Sequence, residues 1–413
     1  MKRRVVITGM GAVTSVGNDV DTMWEAIKSG KNGIDFITLF DTASAKIKVA
    51  GEVKHFDPTG ILEPRDARRL DRVIQFGIVA AQQAYDQAQL KGAVIDPYRF
   101  GTFVTSGIGG LNTIWEEAQV AISRGTDRTS PFFIPNSIIN LIGGHISIRF
   151  QSKGPNLPVV TACSAATNSI GEAFRYIRDG YLEVAFAGGS ESPINAFGVS
   201  GFANMKALNA SNDPENASMP FDKRRSGFVM AEGAGVFVVE ELEHALRRHA
   251  PIFAELVGYG STSDAYHMTA PDETAEGVAR CFQNALEDAG IQPADIDYIN
   301  AHGTSTLLND KIETLGIKKA FGADAYNINI SSTKSMTGHA LGATGAIESI
   351  ICVKAILDGI VPPTIHYQVF DPECDLNYTP NQAVTRSLEY AMNVNLGFGG
   401  QNAALIFKKY PHN

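Results

Sequence analysis

Ala285-Leu286-Glu287-Asp288-Ala289-Gly290 runs through Ile291-Gln292-Pro293 into an apolar stretch that ends at Ala301-His302-Gly303. Earlier in the chain, Ala84-Tyr85-Asp86-Gln87-Ala88 runs through Ile95-Asp96-Pro97 into an apolar stretch that ends at Ser106-Gly107. Each reads as a helix, a short Ile-x-Pro connection, a buried strand and a Gly-bearing turn. The repeat predicts two similar halves, residues 1–250 and 251–413. Between them, near His249–Phe253, the residues Arg247, Arg248, His249 and Pro251 interrupt the apolar pattern. Outward from these units, strand-like runs alternate with helical patterns. They are Val5–Val13, Gly101–Thr105, Leu157–Ala162, Val184–Ala187 and Val236–Val239, then Ala254–Tyr259, Ile296–Asn300, Ile328–Ser331 and Ala403–Phe407. The alternation predicts an α/β fold with buried strands, in which functional residues gather where strands end. Asn209–Asp222, with its Ser, Asn, Asp and Pro, is predicted to be a surface loop.

The 413 residues are 44% hydrophobic and 19% charged, enough for a sizeable core in two domains or one double domain. A formal charge of -9 argues against a general nucleic-acid binder. Cys163, Cys281, Cys352 and Cys374 are scattered, without a C-x-x-C or a Cys/His ladder. Neither a metal site nor a disulfide framework is expected, and a reducing cytoplasm is the expected setting. No apolar run approaches the length of a membrane helix, about 18 residues. The start Met1-Lys2-Arg3-Arg4 is basic, but Val5 to Ile7 is too short for a secretory leader and predicts a first buried strand. Gly9-Met10-Gly11 lacks the third glycine of a dinucleotide fingerprint, so no nucleotide cofactor is expected.

Chemistry concentrates at a few junctions. Cys163 ends Val159-Val160-Thr161-Ala162 and precedes a helical pattern, Ile170, Ala173, Phe174, Ile177. At a helix N-terminus, free backbone N–H groups and the helix dipole favour a thiolate. A lone cysteine is more often a buried structural residue. Two histidines beside glycine tilt the balance: His302 in Asn300-Ala301-His302-Gly303-Thr304, and His339 in Lys334-Ser335-Met336-Thr337-Gly338-His339. A cysteine protease needs one imidazole and an orienting group. Two imidazoles and an ammonium around one thiol instead suit stabilisation of an enolate beside a thioester. In Gly397-Phe398-Gly399-Gly400, the glycines free the backbone to aim an amide N–H into a cavity, and Phe398 on such hinges would make a movable plug. Arg65, Arg68, Arg69 and Arg72 would share one helix face, a candidate docking patch for an acidic protein on an acidic chain.

These motifs resemble the β-ketoacyl-acyl carrier protein synthases, specifically the elongating type II condensing enzymes of the thiolase superfamily. The resemblance spans Val5 to Phe407 and rests on Thr161-Ala162-Cys163-Ser164, Asn300 to Thr306, Ser332 to His339 and Gly397 to Gly400. It implies a thiolase fold, two pseudo-symmetric halves in a five-layered α-β-α-β-α arrangement, and a homodimer. It also implies an acyltransferase that elongates fatty acids by two carbons. An acyl group moves from its carrier protein to Cys163, malonyl-acyl carrier protein is decarboxylated, and the carbanion attacks the thioester. Phosphopantetheine arrives on the carrier protein, so no cofactor of the chain's own is implied. His302 and His339 would donate to the enolate oxygen, and Lys334 would orient His302. The amides of Cys163 and Phe398 would form an oxyanion hole. Thr304, Thr306, Ile108 and Glu348 belong with the substrate-binding set. Arg65, Arg68, Arg69 and Lys206 resemble the carrier-protein docking residues. The family usually has Asn-Ser-Phe before Gly-Phe-Gly-Gly and Thr-Asn after it, whereas this chain has Val394-Asn395-Leu396 and Gln401-Asn402. A thiolase would use a second cysteine, an initiating synthase an Asn at 339, and a non-catalytic polyketide partner subunit no cysteine at 163. The catalytic ketosynthase subunit of a type II polyketide synthase keeps every motif and stays open as the alternative.

Overall fold

Val5–Val13 is buried at every residue and forms β1, the first strand of a mixed sheet. The computed structural model describes residues 2–411; Met1, His412 and Asn413 lie outside them. After β1 come α1 (Arg72–Gln87), β2 (Phe100–Thr105), α2 (Ala165–Arg178), β3 (Val184–Glu191) and β4 (Gly233–Glu241). The second half supplies β5 (Ala254–Ser263), α3 (Glu276–Ala289), β6 (Tyr298–Asn300), β7 (Asn329–Ser331), α4 (Thr344–Asp358), β8 (Tyr390–Gly397) and β9 (Gln401–Lys409).

The strand order is β2-β3-β4-β1-β5-β9-β8-β6-β7. Read from the middle outward, the halves match. β1 and β5 are antiparallel to β4 and β9, these to β3 and β8, and β3 and β8 lie parallel to β2 and β6. The two half-sheets meet where Val5, Val6 and Ile7 pair with Leu256, Glu255 and Ala254. The quoted repeat is part of this symmetry. Ala84 lies in α1 and Ala285 in α3, and a short 3-10 turn begins at Pro97 in one half and Pro293 in the other. The Gly-x-Gly strings serve packing. A Cβ on Gly9 would stand 2.1 Å from the Ala84 carbonyl oxygen, and one on Gly260 would stand 2.1 Å from that of Cys281.

Strand alternation sorts the core into layers. Phe237 and Val239 of β4, and Leu405 and Phe407 of β9, face a central cluster with Ile170 and Phe174 of α2 and Ile350 and Ile351 of α4. Val236 and Val238 turn the other way, onto Ala80 and Ala84 of α1, and Ala404 and Ile406 turn onto Phe282 and Ala285 of α3. Helix, sheet, paired central helices, sheet and helix make five layers. Among the described residues, no helix is long and apolar enough to cross a membrane.

Three expectations need correction. Leu157–Ala162 joins no strand ladder, and Ala162 already belongs to a 3-10 turn; the Leu157 N–H bonds to the Thr102 carbonyl at 3.0 Å, and Leu157 and Val160 stay exposed. Asn209–Asp222 is not all surface loop. Ala217 to Asp222 is buried, with Phe221 stacked on Tyr378 at 3.9 Å. Residues 65–72 form no continuous helix: Pro64–Ala67 is one short turn, and Asp71 caps α1. Arg72 therefore leaves the proposed face. It clasps buried Glu232 at 2.8 Å and lies over the Phe76 ring.

Candidate active site

Cys163 sits in the 3-10 turn Ala162–Ser164, which leads directly into α2. Ala162 before it has φ of 52°, a left-handed kink that turns the chain from the extended segment into the helix. Ser164 secures the turn, donating to the carbonyls of Thr161 at 2.8 Å and Gln401 at 3.0 Å. The pseudo-symmetric turn, Leu341–Ala343, leads into α4 and repeats the kink at Leu341.

A cavity of about 400 Å³ opens on the sulfur. Cys163, His302, His339, Thr304, Thr306, Lys206 and Phe398 all line it. The His302 and His339 rings stand edge to face, centroids 5.3 Å apart. His302 follows β6, and Glu313 fixes its backbone, accepting from the N–H of His302 at 2.6 Å and Gly303 at 2.7 Å. His339 follows the short helix Lys334–Thr337 rather than a strand. Its backbone is tied on both sides, to Val229 at 2.8 Å and Ala231 at 2.9 Å.

Lys334 lies behind the imidazoles. It donates to the His302 carbonyl at 2.5 Å and pairs with Glu348 at 2.6 Å. Glu348 does not line the cavity, so it belongs to this support and not among groups that touch substrate. Asn395, at the position where the sequence departs from the family pattern, completes the support. Its amide nitrogen donates to Glu348 at 2.8 Å and stands 3.4 Å from His302 Nδ1. Its oxygen accepts from Thr167 at 2.5 Å and Asn393 at 2.9 Å. Glu348, Thr167 and Asn393 fix which end of the amide faces His302, so Nδ1 accepts and the ring proton resides on Nε2. His339 Nδ1 is likewise engaged, by the Thr344 hydroxyl at 3.1 Å.

The electrostatics follow from burial. Both imidazoles are held well below the usual 6.5 by desolvation, and then by Lys334, so they are neutral. Burial likewise pushes the Cys163 thiol up to about 12, aided by Glu191; Lys334 and the backbone N–H groups of Phe398 and Cys163, aimed at the sulfur, pull the other way. Desolvation thus opposes the thiolate expected at a helix N-terminus, while Lys334 and the two N–H groups favour it. Two neutral imidazoles line the same cavity.

Phe398, Gly399 and Gly400 are the tip of the β8–β9 hairpin. Gly399 and Gly400 have φ of 93° and 73°, which glycine adopts freely. Gly397 has a different role: a Cβ there would stand 2.5 Å from the Thr161 oxygen, so its smallness seats the hairpin on the nucleophile turn. Ile108 is half-buried in an apolar cluster with Cys163, Phe202, Phe228 and Leu341, behind the cavity rather than on its wall. Arg65, Arg68 and Arg69 are exposed. Arg68 and Arg69 line a separate cleft with Trp115 and Phe132, whereas Lys206 is at the cavity itself. Sequence reasoning missed Asn395 as a hub and Glu191 as a brace. Among the described residues no cluster of three or more His, Cys, Asp or Glu could hold a metal.

Two family models cover most of the chain: the β-ketoacyl synthase N-terminal domain matches residues 2–245, and the C-terminal domain residues 253–368. The chain belongs to the β-ketoacyl synthase family, whose members are condensing enzymes of the acyltransferase kind. A 3-oxoacyl-[acyl-carrier-protein] synthase 2 of Staphylococcus aureus (strain COL) is 48% identical over 408 residues, 99% of each chain. The protein of that name from Synechocystis is 46% identical over 410 residues, again 99% of each. Among solved structures, a β-ketoacyl synthase from Burkholderia phymatum STM815 superposes with a TM-score of 0.93 at 34% identity over both full chains. A type II PKS ketosynthase, solved with its acyl-carrier protein and bound to the hexaketide, gives 0.91 at 33%, also over both full chains.

Proposed function

We propose that this chain is a 3-oxoacyl-[acyl-carrier-protein] synthase that lengthens fatty acyl chains by two carbons through decarboxylative Claisen condensation. The observation that carries this reading is one cavity holding a cysteine sulfur, two neutral imidazoles and two backbone N–H groups aimed at the sulfur. In the first half-reaction, Cys163 attacks the acyl thioester. The thiol proton ends on the departing carrier sulfur, the oxyanion rests on the amides of Cys163 and Phe398, and the carrier thiol leaves. In the second, malonyl-carrier protein loses carbon dioxide. The Nε2–H groups of His302 and His339 donate to the thioester oxygen as enolate charge develops. The carbanion attacks the Cys163 thioester, the C–S bond breaks, and the 3-ketoacyl chain stays on the carrier. Thr304 and Thr306, their hydroxyl oxygens 2.9 Å apart, are placed to hold the phosphopantetheine arm as it enters. No cofactor of the chain's own takes part.

The carrier protein docks on the basic residues Arg65, Arg68, Arg69 and Lys206. The chain acts as a homodimer: exposed Ile134, Ile148, Leu157 and Val160 supply apolar surface suited to a second copy. Scattered free cysteines fit a reducing cytoplasm. Full-length identity of 46–48% to fatty-acid enzymes favours this pathway over the polyketide alternative, at 33–34%. Mass spectrometry of products from malonyl-carrier protein and acyl-carrier proteins of graded length tests the reading. A single two-carbon extension supports it, whereas repeated extension to a poly-ketone indicates the polyketide role.

A further inference from the structure

Glu191 ends β3 with its carboxylate fully buried. Four donors hold it: the Ser106 hydroxyl at 2.6 Å and the backbone N–H groups of Gly107 at 2.7 Å, Ile108 at 3.2 Å and Gly342 at 2.9 Å. Ser106 in turn accepts from the Gly109 N–H at 2.9 Å. These partners are dipoles rather than a cation. Burying a carboxylate this way costs several kcal/mol unless every lone pair is met, so the four bonds act together. The cage needs glycine on both sides. A Cβ on Gly342 would stand 2.1 Å from the Gly107 nitrogen and 2.8 Å from the Glu191 oxygen, and one on Gly107 would stand 2.8 Å from that same oxygen.

The carboxylate joins two segments far apart in sequence. One carries Ile108; the other is the turn Leu341–Ala343, whose Leu341 lines the cavity. Ile108, Leu341 and Cys163 share the apolar cluster behind the sulfur, with Ile194, Val199 and Phe228. An acyl chain on Cys163 that extended away from the histidines would enter this cluster. We propose that Glu191 is a positioning residue for the acyl chain: it latches the Ile108 loop to the Leu341 turn, and the latch sets which chain lengths the Cys163 thioester accepts. This rests on the condensing reading above. A second consequence is electrostatic. The groups facing Cys163 are Lys334, Glu191 and the imidazoles of His302 and His339; burial chiefly holds the thiol up, and Glu191 is the anion that adds to it.

Glu191→Gln keeps the volume but sets an NH₂ group against backbone N–H donors, opening the latch. Ser106→Ala removes one donor and leaves the charge, and Glu191→Asp restores the charge on a shorter arm. Each purified variant is assayed for acylation of Cys163 by carrier proteins bearing short and long chains, and for Cys163 alkylation across pH. In Glu191→Gln the long-to-short ratio of kcat/KM should rise about tenfold, the effect of losing one charge-assisted hydrogen bond. Ser106→Ala should move the ratio the same way by less, and Glu191→Asp should return it toward the parent value. The alkylation profile of Glu191→Gln should move to lower pH. Equal loss at every chain length with an unmoved alkylation profile would overturn the proposal, leaving Glu191 a structural brace. If Glu191→Gln fails to fold, an unchanged ratio in Ser106→Ala overturns it alone. Failure of the unmodified enzyme to acylate Cys163 would overturn the condensing reading instead.

Discussion

Asn395→Asp should separate the two half-reactions. The aspartate keeps the size of the side chain and still accepts from Thr167 and Asn393, but the atom facing Glu348 and His302 becomes an acceptor. Glu348 is already pushed up to about 7 by burial, so a proton settles between the two carboxylates. The ring proton of His302 then moves to Nδ1, toward residue 395, and Nε2 faces the cavity bare. The existing contact to Nδ1 is long, 3.4 Å, so the effect comes mainly from the new acceptor rather than the lost donor. Losing one donor to a developing oxyanion costs roughly 10²–10³ in rate, or about 2.7–4 kcal/mol. Replacing the bond to Glu348 costs about 1.5–3 kcal/mol of stability, which a folded domain of this size tolerates. Carbon dioxide release from malonyl-carrier protein should fall by about that rate factor. Transfer of the acyl group to Cys163 should stay within about threefold of the parent. Nitrogen NMR of His302 should show the proton moved to Nδ1. Equal loss of both half-reactions, or an unchanged tautomer with decarboxylation lost, would refute the reasoning.

Three further outcomes are expected. Replacing Arg65, Arg68 and Arg69 with Glu should raise KM for carrier-protein substrates and weaken its salt dependence, with short pantetheine thioesters little affected; equal damage to both substrate types would count against docking there. Gly397→Ala places a Cβ 2.5 Å from the Thr161 oxygen, and overpacking should cost about 1–3 kcal/mol and draw the Phe398 amide off the sulfur, slowing Cys163 acylation; a melt and acylation rate matching the parent would contradict this. The two imidazoles have folded pKa values below their unfolded ones, so their stabilising contribution is intact above 6.5 and drains as pH falls toward the folded values. The parent should therefore lose stability more steeply than a His302→Gln, His339→Gln variant between about pH 6.5 and 5, and parallel melting curves would deny it.

The two-half architecture is legible because it is written in periodic apolar runs, and β1, β4 and β9 are buried strands whose alternate residues face different layers. Cys163, His302 and His339 are legible because each occupies a glycine-bearing or small-residue junction. Leu157–Ala162 deceives for a physical reason: two of its apolar residues, Leu157 and Val160, lie exposed rather than in the core, so the apolar run is not a buried strand. Arg72 deceives because its partner, Glu232, is distant in sequence and buried. The same holds for Asn395 and Glu191, single polar residues in apolar surroundings whose partners come from other strands and turns. One signal was available for Asn395. Asn393 and Asn395 fall on the same face of an otherwise apolar strand, Met392 to Leu396, and two amides turned into a core predict a buried network.

The central claim is that Cys163 carries the acyl chain while the two histidines decarboxylate malonate. Intact-protein and peptide mass spectrometry after incubation with acyl-carrier protein alone tests it most directly. The account predicts one acyl mass per chain, on the Cys163 peptide. It also predicts that Cys163→Ala abolishes that adduct while still releasing carbon dioxide from malonyl-carrier protein. An adduct on Cys281, Cys352 or Cys374, or none on a protein that still condenses, would contradict it.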